Sequence, residues 1–588
     1  MAGRVGRQWL LRAPEESLVR GIREGTGFSD AASRIMVNRG ILAPRETETF
    51  LNGTLQDLSS PFQMKDLDKA SRRLVDAARR GEKILVYADY DADGSTGAAC
   101  LTLFLSELFP AADVRIHQNH RIKDGYGLKK DHLEAAARSG VKLVVTVDGG
   151  ITDVEAIRHA SEAGVDVIVT DHHEPGEIVP PAYAILNPKQ RDCPYPGKDL
   201  AGVGVVFLLM CGVRRLLREE KAFPEGDEPA LRKYLDLVAL GTVADMVPLR
   251  GDNRLLVQAG IEEIRHRARP GIRALLSVSG IVQANVNEID LAFRIGPRLN
   301  AAGRVGDATR GSELLVTDSF EQALRIASEL HKDNARRQRE EERILREAIS
   351  AVESGPPLSS LSAIVLADPG WHPGVLGIVA SKIVQRYHRP AVLLWIEGDE
   401  AKGSLRTADG FPLIDALSGL SPLLVRYGGH MQAAGIALSI GNLSAFREGF
   451  DRAAREYASG RDGVPRVGID AKVRFDEISR SFMEELDRMR PFGMGNEEPV
   501  LLASNVCVKK HSLFGEGGRH LKTELSGDAR RFEAVAFFRT ELPTGPDGLL
   551  DILFTPQWTF FRGERSVRLR LIDARPSGLP VALATAGP

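Results

Sequence analysis

The sequence predicts an α/β protein of two α/β lobes, the first on a parallel sheet, joined by a long helix and followed by a small β-barrel. Three observations predict this. From about residue 70 to residue 171, apolar runs of strand length alternate with helical stretches, the pattern of a parallel sheet covered on both faces. Residues 319–353 keep helical patterning with no Gly or Pro. From about residue 464, short alternating runs are separated by Gly- and Pro-bearing turns, the texture of a barrel.

In the first lobe, a helix with a basic outer face, SRRLVDAARR, ends at Gly81, and KILVYAD (83–89) reads as a buried strand. Gly94 and the helix STGAACLTLFLSELF come next, then the strands VKLVVTVD (141–148) and VDVIVTD (165–171), with a helical stretch between them ending at Gly164. Ser319 is a helix cap for the 319–353 helix, which at 1.5 Å per residue spans about 50 Å. Its Arg/Glu run reads as a solvated face laced with i,i+4 pairs. The second lobe contains the strand SAIVLA (362–367), a helix over 374–387, the strand AVLLWI (391–396) and the helix LSAFREGFDRAAREY. The first forty or so residues read as a helical lead-in and LPVALATAGP as a disordered tail.

The chain has 588 residues, a length that favours about four domains. It carries 77 Lys+Arg against 79 Asp+Glu, a formal net charge of −2, with 43% hydrophobic and 27% charged residues. That composition excludes a disordered chain and a uniformly basic coat protein. It leaves room for a nucleic-acid enzyme with a locally positive groove. Cys100, Cys193, Cys211 and Cys507 share no CxxC spacing, so neither a disulfide scaffold nor a structural zinc site is expected. The longest nearly apolar run, 201–213, is shorter than the ~18 residues of a membrane span and reads as a core helix. The N-terminus lacks the apolar stretch of a signal peptide. A cytoplasmic protein is expected.

The first strand ends in Asp89-Tyr90-Asp91-Ala92-Asp93-Gly94. Three acids so close repel one another, and a divalent cation is the usual remedy. Alone, the cluster reads equally well as a solvated acidic turn capping the next helix. The next two strands decide for the cation. One ends in Asp148 and the other in Asp171-His172-His173, and in a parallel sheet functional groups gather at the carboxyl ends of the strands. Asp171 is placed to orient His172. A further acid, Asp245, ends another apolar run. Hard oxygen ligands with a little imidazole and no thiolate favour Mg²⁺ or Mn²⁺. Six or so ligands exceed the needs of one ion, so two ions are expected. Two ions about 4 Å apart suit phosphoester hydrolysis, because they activate water and clamp both sides of an in-line displacement.

These residues carry a resemblance. VYADYDADGST, RIKDGYGL, VTVDGG, VTDHHEPGE and GTVADMVPL, in this order, resemble the DHH phosphoesterase superfamily. FRIGPRLNAAGR, NARRQREEE, WHPGVLGIVASK, GSLRT, YGGHMQAAG and PFGMGNEEP extend the likeness to its single-strand-specific 5′→3′ DNA exonuclease branch, over roughly residues 40–576. The resemblance implies metal ligands at Asp89, Asp91, Asp93, Asp148, His172 and Asp245, with His173 nearer the scissile phosphate. It implies a catalytic set of Asp91, Asp93, Asp148, His172, His173 and Asp245. The sequence departs from the pattern at Tyr87, where many relatives have His, at Ala88, usually Gly, and at Asn119, usually Pro.

Other motifs read as contacts to a strand. Arg121 precedes the loop Gly125-Tyr126-Gly127, which by its residues alone reads as a surface turn with a core Tyr and, given the resemblance, as a pairing that suits a phosphate and a stacked base. Arg298, Asn300 and Arg304 form a second basic loop, while Gly403–Thr407 and Gly428-Gly429-His430 read as small-residue loops offering backbone N–H donors to phosphate. By resemblance, Arg121, Ser404 and Arg406 recognise the 5′ end and His430 faces the metals. Residues 501–576 hold 12 Lys/Arg against 9 Asp/Glu. Lys509, Lys510, Arg519, Lys522, Arg562, Arg565, Arg568 and Arg570 lie among Phe514, Trp558, Phe560 and Phe561. This matches an OB-fold that stacks bases and tracks phosphates, with Lys522 and Trp558 as contacts; by alternation, at least half of these aromatics read instead as barrel core beside solvated arginines.

The expected organisation is a lead-in (1–45), a DHH catalytic domain (46–318), a connector helix (319–353), a DHH-associated domain (354–463), an OB-fold (464–577) and a tail (578–588). The expected function is a metal-dependent 5′→3′ exonuclease that degrades single-stranded DNA to mononucleotides in repair and recombination. One rival is a DHH phosphodiesterase acting on dinucleotides or short oligonucleotides, against which the barrel argues. Another is a non-catalytic Cdc45-like replication scaffold, against which the intact acids argue. The family implies a single-strand-binding protein and a RecQ-type helicase as partners of a monomer.

Overall fold

The computed structural model describes residues 7–224, 227–407, 410–459, 464–543, 547–561 and 564–585. The chain divides into two compact units. One comprises Ser59–Val247 and Leu256–Gly463; the other comprises Gly6–Leu58, Pro248–Leu255 and Val464–Pro588. No helix among the described residues is long and apolar enough to cross a membrane.

The first unit opens with a five-stranded parallel sheet. Its strands are β1 (Lys83–Ala88), β2 (Val114–Gln118), β3 (Val141–Val147), β4 (Asp166–Thr170) and β5 (Ala184–Leu186), in the order β2-β1-β3-β4-β5. The chain steps one way from β1 to β2 and then back past β1 to β3. The carboxyl ends of β1 and β3 therefore flank the topological switch point, where an open parallel sheet leaves a crevice. Helix α1 (Ala92–Leu108) is buried along nearly its whole first three turns. Gly97 lets it lie against the sheet: a Cβ there would stand 2.5 Å from Val147 Cγ1. Helices α2 (Gly202–Glu219) and α3 (Leu235–Ala244) pack against α1. The 201–213 run is a core helix, as the sequence predicts, and α2 carries it on to Glu219.

Helix α4 (Gly296–Val305) holds GPRLNAAGR. The sequence predicts a loop here, but Pro297 suits a helix start and the small residues Ala301, Ala302 and Gly303 are buried in the helix. Helix α5 (Phe320–Ser354) is capped by Ser319, whose hydroxyl accepts from the Gln322 N–H. It leads to a mixed sheet of β6 (Ile364–Asp368), β7 (Ala391–Glu397), β8 (Glu400–Arg406), β9 (Arg426–His430) and β10 (Ala433–Ser439), in the order β9-β10-β8-β7-β6. Helix α6 (Leu376–Tyr387) covers one face and α5 adds Ile344 and Ala348 to the same core. The predicted loops at Ser404–Arg406 and Gly428–His430 are paired strands, β8 and β9, each hydrogen-bonded to β10.

In the second unit, β11 (Leu501–Phe514), β12 (His520–Gly527), β13 (Arg530–Ala536), β14 (Leu549–Phe561) and β15 (Glu564–Pro576) form a closed barrel in which β11 pairs with both β12 and β14. Phe475, Phe532 and Phe554 meet in its core, together with Phe28, Ile35 and Met36 from the N-terminal helices. Two expectations change here. The lead-in begins with a strand, Gln8–Ala13, that runs parallel between Arg466–Ile469 and Ala582–Thr585. The tail is thus partly ordered, because Ala582–Thr585 finds a strand edge to pair with.

Candidate metal centre and phosphate site

β1 stops at Ala88, and the next six residues deliver three acids. Asp91 caps α1, its Oδ1 accepting the N–H groups of Asp93 at 2.9 Å and Gly94 at 3.1 Å. Asp93 is fully buried, and its carboxylate accepts the first two N–H groups of α2, from Gly202 at 2.6 Å and Val203 at 2.9 Å. A helix N-terminus thereby steadies its charge. Only a glycine fits at 202, where a Cβ would stand 2.9 Å from Asp148 Cβ and 3.0 Å from Asp93 Oδ2. Asp148 follows β3 with φ at 61°, a left-handed conformation that Asp tolerates and that is common at functional sites. Asp245 ends α3.

His172 draws these acids together. Its Nε2 lies 3.1 Å from Asp148 Oδ1, 3.5 Å from Asp245 Oδ2 and 4.0 Å from Asp93 Oδ2. Ligand atoms converge in three groups within 4.8 Å: Asp93–His172–Asp245, Asp148–His172–His173 and Asp89–Asp91–Asp148. Burial and then neighbouring acids push the carboxyls of Asp89, Asp93 and Asp148 well above their usual range. Burial and Asp91 lift Asp245 to about 7. Burial and His173 hold His172 down to about 3, so its imidazole is neutral. The pocket is short of positive charge.

The donor set fits a divalent cation. Asp89 Oδ1, Asp148 Oδ1 and His172 Nε2 are buried without a hydrogen-bond partner. His172 makes its backbone hydrogen bond with Leu200, which leaves Nε2 as the free acceptor. Carboxylate oxygens with one imidazole are the ligands of Mg²⁺ or Mn²⁺ rather than of zinc.

Asp171 serves His173, not His172 as expected. Its Oδ1 accepts from the backbone N–H groups of both histidines and stands 2.8 Å from His173 Nδ1. Burial opposes charge on His173, but the hydrogen bond to Asp171 together with the negative charges of Asp171, Asp245 and Asp89 outweighs it and pushes the imidazole up to about 9. The Tyr126 hydroxyl lies 3.0 Å from the same nitrogen, and the residue as a whole is 40% exposed.

Beside the acids lies a concentration of positive charge. Burial, then Arg121 and Arg337, pushes the Arg304 guanidinium down to about 9. Burial and Arg121 likewise lower Arg406. Arg121 covers the Tyr90 ring at 4.9 Å and also faces Asp89. Arg406 and Ser404 pack at the start of α6, where a Cβ on Gly377 would stand 2.7 Å from Arg406 Nη2 and 3.4 Å from Ser404 Oγ. Three partly buried arginines repelling one another beside a helix N-terminus call for an anion.

Comparisons with known proteins agree with this geometry. Family models match at 83–242 (DHH family, N-terminal domain), 360–456 (DHHA1 domain) and 469–573 (RecJ OB domain). The single-stranded-DNA-specific exonuclease RecJ of Bacillus subtilis is 34% identical over 574 residues, 97% of this chain and 71% of its own length. The chain belongs to the RecJ family. The RecJ of Salmonella typhimurium is 36% identical over 92% of this chain and 95% of its own. The crystal structure of RecJ in complex with Mn²⁺ from Thermus thermophilus superposes with a TM-score of 0.82 at 32% identity, covering 99% of this chain and 81% of that one.

Within this RecJ fold, the remaining predicted contacts divide. Arg304 and Arg406 join the arginine cluster. Arg298 instead donates to His331 Nδ1 at 3.2 Å and to the Arg294 carbonyl. Asn300 is used structurally: its Oδ1 accepts the Ala92 N–H at 2.7 Å, holding the start of α1. Lys522 pairs with Glu533 at 2.6 Å. Trp558 does not offer an open stacking face, because Arg565 covers its ring at 3.7 Å and Nε1 donates to Asp487 at 2.8 Å. His430 sits on β9, and its side chain lies outside the described residues, as do Arg562 and the side chains of Phe560 and Phe561. Tyr87 is not a ligand in place of His, since its hydroxyl is bound to Asn119.

Sequence reasoning missed two features. Gln118 binds the Asp89 carbonyl at 2.8 Å and Ser95 Oγ at 3.0 Å, fixing the acid-bearing turn. Phe537 and Phe538 stand 49% and 67% exposed around His520 on the barrel. The pair FF directly after the alternating run EAVA was the available signal for the second.

Proposed function

We propose that this chain is a metal-dependent exonuclease that degrades single-stranded DNA from the 5′ end to mononucleotides. One observation carries the reading: buried, unpartnered ligand atoms of Asp89, Asp148 and His172 lie beside a partly buried arginine cluster in a RecJ-family chain. Asp89, Asp91, Asp93, Asp148, His172 and Asp245 would hold two ions, Mn²⁺ or Mg²⁺. When bound, such ions make water a nucleophile near neutral pH and offset charge on the reacting phosphate.

The chain's own groups do the rest. The N–H groups of Gly202 and Val203 fix the Asp93 carboxylate, and Leu200 fixes the His172 ring. His173, kept charged by Asp171, donates to the scissile phosphate and stabilises charge that builds there. Arg121, Arg304, Arg406 and Ser404, with the N-terminus of α6, seat the terminal 5′ phosphate. Holding that phosphate beside the carboxylates selects the 5′ end. On the barrel, exposed Lys509 and Lys510 attract the backbone, and Phe537 and Phe538 offer stacking faces.

Family membership supports a place in DNA repair and recombination in the cytoplasm, as a monomer supplied with single strands by a RecQ-type helicase and a single-strand-binding protein. The complete carboxylate set speaks against a non-catalytic scaffold. The test is chelation followed by add-back on single and blunt double strands. Activity confined to single strands, lost on chelation and restored by Mn²⁺, is expected; equal degradation of duplex would overturn the reading.

A further inference from the structure

The loop 120–128 carries two groups of the site, Arg121 at the phosphate cluster and Tyr126 at His173. It has little regular structure of its own. Gly125 and Gly127 adopt φ of 72° and 83°, and its internal bonds join mainly His120 and Asp124. A short loop of this kind keeps one shape only if its backbone groups are held from outside.

Asp153 Oδ2 accepts the Leu128 N–H at 2.8 Å, and the loop carbonyls are held by the Asn119 side chain, which is 1% exposed at the end of β2. Its Nδ2 donates to the carbonyls of Gly127 at 2.6 Å and Gly125 at 3.1 Å. Its Oδ1 accepts the Tyr87 hydroxyl at 2.5 Å. An amide can present either end to its surroundings. The Gly125 and Gly127 carbonyls can only accept, so Nδ2 faces the loop and Oδ1 is left to take the Tyr87 hydroxyl proton. The Tyr87 hydroxyl also accepts the Lys129 N–H at 3.3 Å, where the loop enters the next helix, and lies 3.0 Å from His132 Nδ1. His132 Nδ1 is in turn 3.1 Å from His117 Nε2. The Tyr87 ring is 3% exposed and packs with Leu128, Leu133 and Val144, so the hydroxyl has a fixed origin.

We infer that Tyr87 and Asn119 are paired positioning residues whose hydroxyl–amide contact sets the loop that delivers Arg121 to the 5′ phosphate. Neither touches substrate; they act through the loop. The inference rests on the reading of Arg121 as a 5′-phosphate contact. Removing the hydroxyl leaves Asn119 Oδ1 without its donor, so the amide that holds the two loop carbonyls is no longer fixed and Arg121 loses its set approach.

The test uses the full chain with Mn²⁺ and compares 5′-phosphorylated with 5′-hydroxyl single strands. Tyr87→Phe keeps the ring in the core, and Asn119→Asp keeps shape but cannot donate to the carbonyls. Each is expected to raise KM for 5′-phosphorylated strands about tenfold, with kcat and the KM for 5′-hydroxyl strands changed less than about twofold. Trypsin cutting after Arg121 and Lys123 should quicken in both variants without metal or DNA. A general loss of folding would instead lower turnover on both substrates alike. Arg121→Ala is the control: if it keeps the preference for a 5′ phosphate, the phosphate reading fails, and the trypsin rates alone decide the loop claim. If Arg121→Ala loses the preference while Tyr87→Phe and Asn119→Asp keep both it and the wild-type trypsin rate, the inference is overturned.

Discussion

His172 Nε2 and Asp148 Oδ1 face each other at 3.1 Å, both buried and both without a hydrogen-bond partner. Nε2 of a neutral ring bound to Leu200 through its other nitrogen is an acceptor, and so is a carboxylate oxygen. Two lone pairs aimed at one space repel unless a cation stands between them. The same shortage of positive charge explains why burial and crowding lift the surrounding carboxyls.

The pH dependence of metal-free stability follows. Asp245 rises from about 3.9 unfolded to about 7 folded, so its favourable protonated form is lost as pH climbs through about 7. Asp89, Asp93 and Asp148 shift the same way. Below about 6.5, His172, held neutral, pulls in the opposite direction. The chelated protein should therefore melt lower at pH 8.5 than at pH 6.5 in calorimetry. Mn²⁺ at about a hundred times its Kd should add ~2.7 kcal/mol and flatten the trend. A metal-free Tm that rises over this window would contradict the charge account.

The two neighbours of His173 and His172 should separate in a binding experiment. Asp148→Asn is expected to weaken Mn²⁺ binding at least about tenfold in calorimetric titration. Asp171→Asn should leave Mn²⁺ affinity within about threefold and lower kcat, because Asp171 holds His173. An equal loss of metal affinity in both would reassign Asp171 to the ligand His172.

Trp558 is expected to matter for stability rather than for DNA. Trp558→Ala removes packing on the barrel core and the bond to Asp487, and should cost about 2 kcal/mol or more in urea unfolding. Single-strand Kd should change less than about threefold. Unchanged stability with a large rise in Kd would restore Trp558 as a stacking residue.

Binding of single strands should weaken as salt rises, despite the net charge of −2, because the cations are local. Arg406→Ala should make the log–log slope shallower by about 0.7, the loss of one phosphate contact on a single strand. An unchanged slope would remove Arg406 from the phosphate site.

Much of this was legible in the sequence, for physical reasons. Strand–helix alternation fixed the parallel sheet, and acids at the ends of β1, β3 and β4 had to meet at its switch point. Tertiary partners were not legible. Asp171 chooses His173 over His172 through a geometry that sequence adjacency does not encode. Asn300 bonds Ala92 across 208 residues. Ser404 and Arg406 looked like loop residues because their small neighbours suit turns, yet β10 supplies a pairing edge. The departures at Tyr87 and Asn119, 32 residues apart in sequence, are hydrogen-bonded to each other.

The most direct test of the central claim is end-labelled single-stranded DNA incubated with Mn²⁺, comparing the intact chain with Asp93→Ala. The account predicts that the 5′ label leaves first as a mononucleotide and that the variant, lacking the carboxylate held by Gly202 and Val203, releases neither label. Release of the 3′ label first, or activity surviving in Asp93→Ala, would contradict it.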